Sequence, residues 1–194
     1  TEALTDMEII LASGSPRRRE LLNTLGLSFM VCPAEGDEIA PDGAGPGEIV
    51  KTLSRAKAEE VGRRFAEELI IAADTIVCLD GKVLGKPKDE ADARAMLSSL
   101  SGRAHEVYTG VTVMLGEDTL CEDECTKVFF RELSAEEIDA YVASGDPMDK
   151  AGAYGIQGKA SLMVERIEGD YFNVMGLPLC RLGKMLKTIG VRLL

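Results

Sequence analysis

Ser13-Gly14-Ser15-Pro16-Arg17-Arg18-Arg19 concentrates two hydroxyls and three guanidinium groups in seven residues. Ser15 fits a helix N-cap and Pro16 the first helical position, where a missing N–H costs nothing. Arginines then fill the first turn, at the positive end of the helix dipole, where acidic residues are usual. A local rule broken in this way suits a functional site, because bare backbone N–H groups, hydroxyls and guanidinium groups together trap anions, phosphate above all. The plain alternative is a solvated turn joining a strand to a helix. No G-x-x-x-x-G-K-[ST] pattern accompanies the loop, so taken alone it leaves both readings standing.

Three other residues and two segments carry chemistry. Asp74 sits in the middle of 69–79, LIIAADTIVCL, the most strand-like run in the chain and apolar enough to be covered on both faces. A carboxylate buried there costs several kcal/mol unless it is paired, hydrogen-bonded or bound to a metal. Lys57 lies in an amphipathic helix expected over 48–67, whose apolar residues are Ile49, Val50, Leu53, Ala56, Val61 and Phe65. At 100° per residue it falls near the middle of that stripe, where it either snorkels to solvent or neutralises a buried anion. Lys86 follows a short strand that returns from the Asp80-Gly81 turn, which brings a second lysine close to the strand of Asp74. The segment 146–158, DPMDKAGAYGIQG, has three glycines, Asp149, Lys150, Tyr154 and Gln157. Without helical or strand periodicity it reads as a structured loop that lets backbone approach a ligand, and Gln157 offers a donor and an acceptor to a base edge. The acidic, glycine-rich loop 33–47, with Glu35, Asp37, Glu38 and Asp42, is either a solvated connection or a source of carboxylates for a metal.

The elements that must position these residues alternate in an α/β manner. Strands are expected at 9–12, 28–32, 69–79 and 82–85, a long antiparallel pair at 106–115 and 120–131, and a last hairpin from 162–167 and 171–174. Helices are expected after Pro16 to Gly26, from the Asp89 cap to about Leu100, from the Ser134 capping box to Gly145, and from Pro178 onward. The chain has 194 residues, enough for one largish domain or two small lobes. With a net charge of −11 it is unsuited to general nucleic-acid or anionic-membrane binding, so an anionic ligand must meet a local cluster of Lys and Arg. Residues 1–8 show no signal-peptide pattern and no apolar run reaches spanning length, so a cytoplasmic location is expected. Cysteines 32, 78, 121, 125 and 180 are odd in number and scattered, which argues for free thiols. The single histidine, His105, has no nucleophile nearby in sequence and is read as structural.

The blocks SGSPRRRELL, AADTIV, LGKP, LSGRAHEVYTGV, DKAGAYGIQG and GDYFNVMGLPL occur in this order. Together they closely resemble the Maf family of nucleoside triphosphate pyrophosphatases over nearly the whole chain, from about Ile9 to Leu186. The resemblance implies one domain over 1–194, residues 1–8 forming its tail, with an inosine triphosphate pyrophosphatase-like α/β fold in which a long mixed twisted sheet and two lobes enclose a cleft. It implies metal-dependent hydrolysis of a nucleotide between its α and β phosphates, with Mg²⁺ or Mn²⁺ as cofactor. Asp74 then resembles the general base. Ser13, Arg17, Arg18, Lys57 and Lys86 resemble phosphate contacts, Lys57 and Lys86 acting with Asp74 in catalysis. Glu38 resembles a metal carboxylate, with Asp74 as the other. The DKAGAYGIQG block is similar to the branch that prefers dTTP and UTP, in which Arg17, Thr75 and Gln157 match positions tied to substrate choice. A homodimer is also implied. Two alternatives remain at this point, a nucleotide-binding regulator of septum formation with little turnover and an enzyme for another modified pyrimidine nucleotide.

Overall fold

The computed structural model describes residues 7–194, so most of the expected tail, residues 1–6, lies outside the described residues. Among these residues the strands and α-helices follow one another as β1 (Ile9–Leu11), α1 (Pro16–Thr24), β2 (Met30–Val31), α2 (Pro46–Gly62), β3 (Leu69–Leu79), β4 (Lys82–Leu84), α3 (Glu90–Leu100), β5 (Ala104–Leu115), β6 (Asp118–Phe130), α4 (Ala135–Ala143), β7 (Val164–Glu168), α5 (Tyr171–Met175) and α6 (Leu179–Thr188). The strands form one mixed seven-stranded sheet in the order β2-β1-β3-β5-β6-β7, with β4 paired to β3. β1 runs parallel to both β2 and β3, while β3–β4 and β6–β7 are antiparallel. The mixed α/β class expected from the sequence is therefore present.

The local causes are those the sequence displays. Ser15 caps α1, its hydroxyl accepting the Arg18 N–H, and Asp89 and Ser134 cap α3 and α4, the latter in a complete capping box. Asp80 and Gly81 both take positive φ, 52° and 76°, the conformation that a two-residue hairpin turn demands.

Two expectations need correction. The helix carrying Lys57 spans Pro46–Gly62 rather than 48–67, and its buried side chains are Val50, Leu53, Ser54, Ala58 and Val61, with Ala56 exposed. Residues 171–174 are not a strand. They lie in the short helix α5, because Asn173 is wholly buried and its Nδ2 donates to the Val107 carbonyl at 3.1 Å and to Thr126 Oγ1 at 2.9 Å, while Tyr171 and Phe172 face solvent. A polar anchor overrides the aromatic strand preference.

The described chain divides into two compact units. The first contains the residues up to Asp74 with Thr109–Glu124 and Gly176–Leu194, and its core includes Ile10, Ala12, Ala58, Val61, Ile70 and Ala72. Here α2 packs backbone to backbone on β5: a Cβ on Gly110 would stand 2.2 Å from the Val50 carbonyl oxygen. The second contains Thr75–Tyr108 and Cys125–Met175. Its interior holds His105, Phe130 and Tyr154 in edge-to-face contact, and His105 Nε2 shares a 2.5 Å hydrogen bond with the Tyr154 hydroxyl.

Burial holds His105 neutral and pulls its pKa from 6.5 down to about 4. Between those values an unfolded chain binds a proton that the folded one refuses, so stability falls as the pH drops through this window. Urea unfolding at pH 6.5 and 4.5 should show that His105→Gln loses about 2 kcal/mol less than the wild type over that step. Equal losses would mean that His105 titrates normally in the fold.

Candidate active site

The chemistry of the first unit converges on Asp74. Strand β3 is buried along nearly its whole length and carries Asp74 with only 6% of its surface exposed. Lys57, one face of α2 away from solvent, reaches it: Nζ stands 2.9 Å from Asp74 Oδ1 and 2.9 Å from Glu38 Oε1. One lysine is thus shared by a buried and an exposed carboxylate, and the stripe position of Lys57 is explained by an anion rather than by snorkelling. Burial pushes the Asp74 pKa above its ordinary 3.8, outweighing the pull of Lys57 and of Arg18 in the opposite direction, while the Glu38 charge adds to the rise.

The arginine-rich turn is ordered around Ser13. The buried Ser13 hydroxyl accepts the Ser15 N–H and an Arg18 Nη1–H, each at 3.2 Å, and Arg18 Nε donates to the Gly176 carbonyl at 2.7 Å. Arg18 is therefore fixed at two points, within electrostatic reach of Asp74 and Glu38. Desolvation lowers its pKa, and Asp74 opposes that most. Arg17 is half-buried and makes no hydrogen bond or ion pair among the described residues. Ser13, Arg17, Arg18, Glu38, Lys57 and Asp74 all belong to this unit.

Thr75, Lys86 and Gln157 belong to the second unit. Thr75 follows Asp74 on β3, so its side chain points to the opposite face. Lys86 is exposed beyond β4. Gln157 is half-buried at the entry to a 3₁₀ turn, Gly158–Leu162. Lys86 and the glycine-rich segment are tied locally, since the Gly152 N–H donates to the Gly85 carbonyl at 3.1 Å. That segment is built of 3₁₀ turns, and Lys150 holds it together: its Nζ donates to the Asp146 carbonyl, to Asp146 Oδ1 and to Asp149 Oδ1 at 2.7, 3.1 and 2.9 Å. The Tyr141 hydroxyl adds a 2.7 Å donation to Asp146 Oδ2. The Gly176 carbonyl and the Tyr141–Asp146–Lys150 network carry no signal in sequence beyond their neighbourhood to the GDYFNVMGLPL and DKAGAYGIQG blocks.

Among the described residues no group of three or more His, Cys, Asp or Glu side chains is arranged to hold a metal by itself, and no helix is long and apolar enough to cross a membrane.

A family model described as Maf-like protein matches residues 8–189. A protein from Bacillus cereus (strain AH820) named dTTP/UTP pyrophosphatase is 48% identical over 184 residues, covering 95% of this chain and 96% of its own. One of the same name from Agathobacter rectalis is 50% identical over 204 residues, covering 95% and 98%. Among solved structures, the Staphylococcus aureus Ham1 protein aligns with a TM-score of 0.47 and 14% identity over 63% of this chain and 71% of that one. A HAM1 protein from Coxiella burnetii aligns with a TM-score of 0.41 and 18% identity over 64% and 73%.

Removing one partner of a buried ion pair leaves an uncompensated charge. Lys57→Met should therefore lower the unfolding free energy at pH 7 by about 3 kcal/mol, and adding Asp74→Asn in the same chain should recover most of it. A single variant as stable as the wild type would show that Lys57 does not compensate Asp74.

Proposed function

This chain belongs to the Maf-like protein family, and from that premise we propose that it hydrolyses dTTP and UTP between the α and β phosphates, releasing the nucleoside monophosphate and pyrophosphate. The observation that carries the reading is the buried Asp74 carboxylate, held by Lys57 at 2.9 Å, with Arg18 within electrostatic reach. Relatives of about half-identical sequence over almost the full chain bear the name dTTP/UTP pyrophosphatase, which supports the choice of substrate.

In this mechanism the triphosphate is met by Ser13, Arg17, Arg18 and the bare N–H groups that open α1, while Lys57 and Lys86 offset the charge that grows on the leaving pyrophosphate. Asp74 accepts the proton of the water that attacks the α-phosphorus. The bond from that phosphorus to the bridging oxygen breaks, and pyrophosphate leaves with the oxygen. A base with a raised pKa is well matched to this task near neutral pH. Thr75 and Gln157 are assigned to substrate choice from their match to the family positions, Gln157 pairing with the edge of the pyrimidine. The donor set fits a hard divalent cation, because Mg²⁺ is commonly held by one or two carboxylates together with substrate phosphates. Glu38 and Asp74 would hold it. When bound, Mg²⁺ or Mn²⁺ supplies charge neutralisation on the phosphates and acidifies water. The reading also takes the protein to be a homodimer, as the family resemblance implies, that cleans the nucleotide pool in the cytoplasm.

Pyrophosphate release should be measured with Mg²⁺ or Mn²⁺ across dTTP, UTP, CTP, GTP, 7-methyl-GTP and inosine triphosphate. Turnover should concentrate on dTTP and UTP with the monophosphate as product, and Asp74→Asn should lower kcat by at least about 10²-fold without loss of folding. Nucleotide binding without turnover on any substrate would instead favour a regulatory protein, and an active Asp74→Asn would remove the general base from this account.

A further inference from the structure

The acidic loop between β2 and α2 is not left to find its own position. The Glu60 carboxylate, on α2, accepts the backbone N–H of Glu35 on Oε2 at 2.7 Å and that of Gly36 on Oε1 at 2.6 Å. Two adjacent N–H groups on the two oxygens of one carboxylate fix a segment in both position and orientation, and charge-assisted bonds of this length are strong for their type. Glu60 stands three residues after Lys57, so the helix that presents the lysine also presents the clamp on the same flank. Glu38, two residues beyond the clamped peptide, then meets Lys57 Nζ at 2.9 Å.

The clamp leaves a mark on the chain it holds. A Cβ on residue 36 would stand 2.6 Å from Glu60 Oε1, so the glycine there admits the carboxylate and a side chain would displace it. The two N–H groups hold the Glu60 pKa below its ordinary 4.5, the charges of Arg64 and Arg63 adding to that. With two arginines of its own helix end within reach, the carboxylate nevertheless points to the loop backbone.

We propose that Glu60 is a positioning residue for the reaction, acting through the Glu35-Gly36 backbone to hold Glu38 beside Lys57 and Asp74. This rests on the preceding reading in which Glu38 serves catalysis. It assigns to a half-buried helix residue outside all of the sequence blocks a part in the chemistry, without any contact to substrate.

The test is a double-mutant cycle of Glu60→Ala and Glu38→Gln, read as kcat/KM for dTTP hydrolysis, together with hydrogen exchange at the Glu35 and Gly36 amides. Glu60→Ala should lose protection at those two amides and lower kcat/KM by about 10- to 100-fold, the range usual for groups that orient a site carboxylate. In the Glu38→Gln background the same change should cost less than about twofold, since the residue it positions is already gone. Glu60→Gln, which keeps the length and one acceptor, should fall between Glu60→Ala and the wild type. The proposal is overturned if Glu60→Ala keeps kcat/KM within twofold of the wild type, or if its loss adds in full to that of Glu38→Gln, because a merely structural role would be indifferent to Glu38. Failure of the proposed function would appear elsewhere, as a wild-type protein that releases no pyrophosphate.

Discussion

A carboxylate in the middle of a buried strand is the constraint around which the first unit is arranged. Asp74 has hydrophobic neighbours along β3 on both sides, and ionising it there requires a cation at contact distance. Lys57 meets that need from α2, and the rest follows from bringing a helix close enough for a lysine side chain to reach. The close approach at Gly110 seats the α2 backbone on β5, and Ala58 and Val61 on α2 pack with Ile70 and Ala72 of β3. The apolar face of α2 holds the helix, and a single lysine in that face meets the charge.

Electrostatics then explain why the trap at α1 tolerates arginines where the helix dipole opposes them. Arg18 is oriented by Ser13 and by the Gly176 carbonyl, and it lies within reach of two carboxylates, Asp74 and Glu38. For Arg18 the local cost of a cation at a helix N-terminus is partly offset by attraction to these carboxylates. A chain with a net charge of −11 thus still places its arginine-rich turn beside its own carboxylates.

Much of this was legible in the sequence, and the reasons differ by residue. Asp74 stood out because a charge interrupts an apolar strand, and Lys57 because it breaks a helical stripe; both signals are local and periodic, and the structure joins the two residues. The caps at Ser15, Asp89 and Ser134 were readable because capping depends on residues three apart. Helix α5 was not, because what decides it is Asn173 bonding to Val107 and Thr126, 66 and 47 residues away. The clamp of Glu60 on the 35–36 peptide was invisible for a related reason: backbone N–H groups are present at almost every residue, so a side chain that seeks them leaves no pattern in the sequence. The end of α2 at Gly62, ahead of the expected Glu67, was masked because Phe65 still packs against the core after the helix has stopped.

The account depends on Asp74 being a buried base whose proton affinity is raised by its surroundings. Its carboxyl carbon should therefore be titrated by ¹³C NMR and compared with the pH dependence of kcat/KM for dTTP. The account predicts that Asp74 titrates above 3.8 and that the acid limb of kcat/KM follows the same transition. Titration at or below that value, or an acid limb unrelated to it, would contradict the assignment of Asp74 as the base.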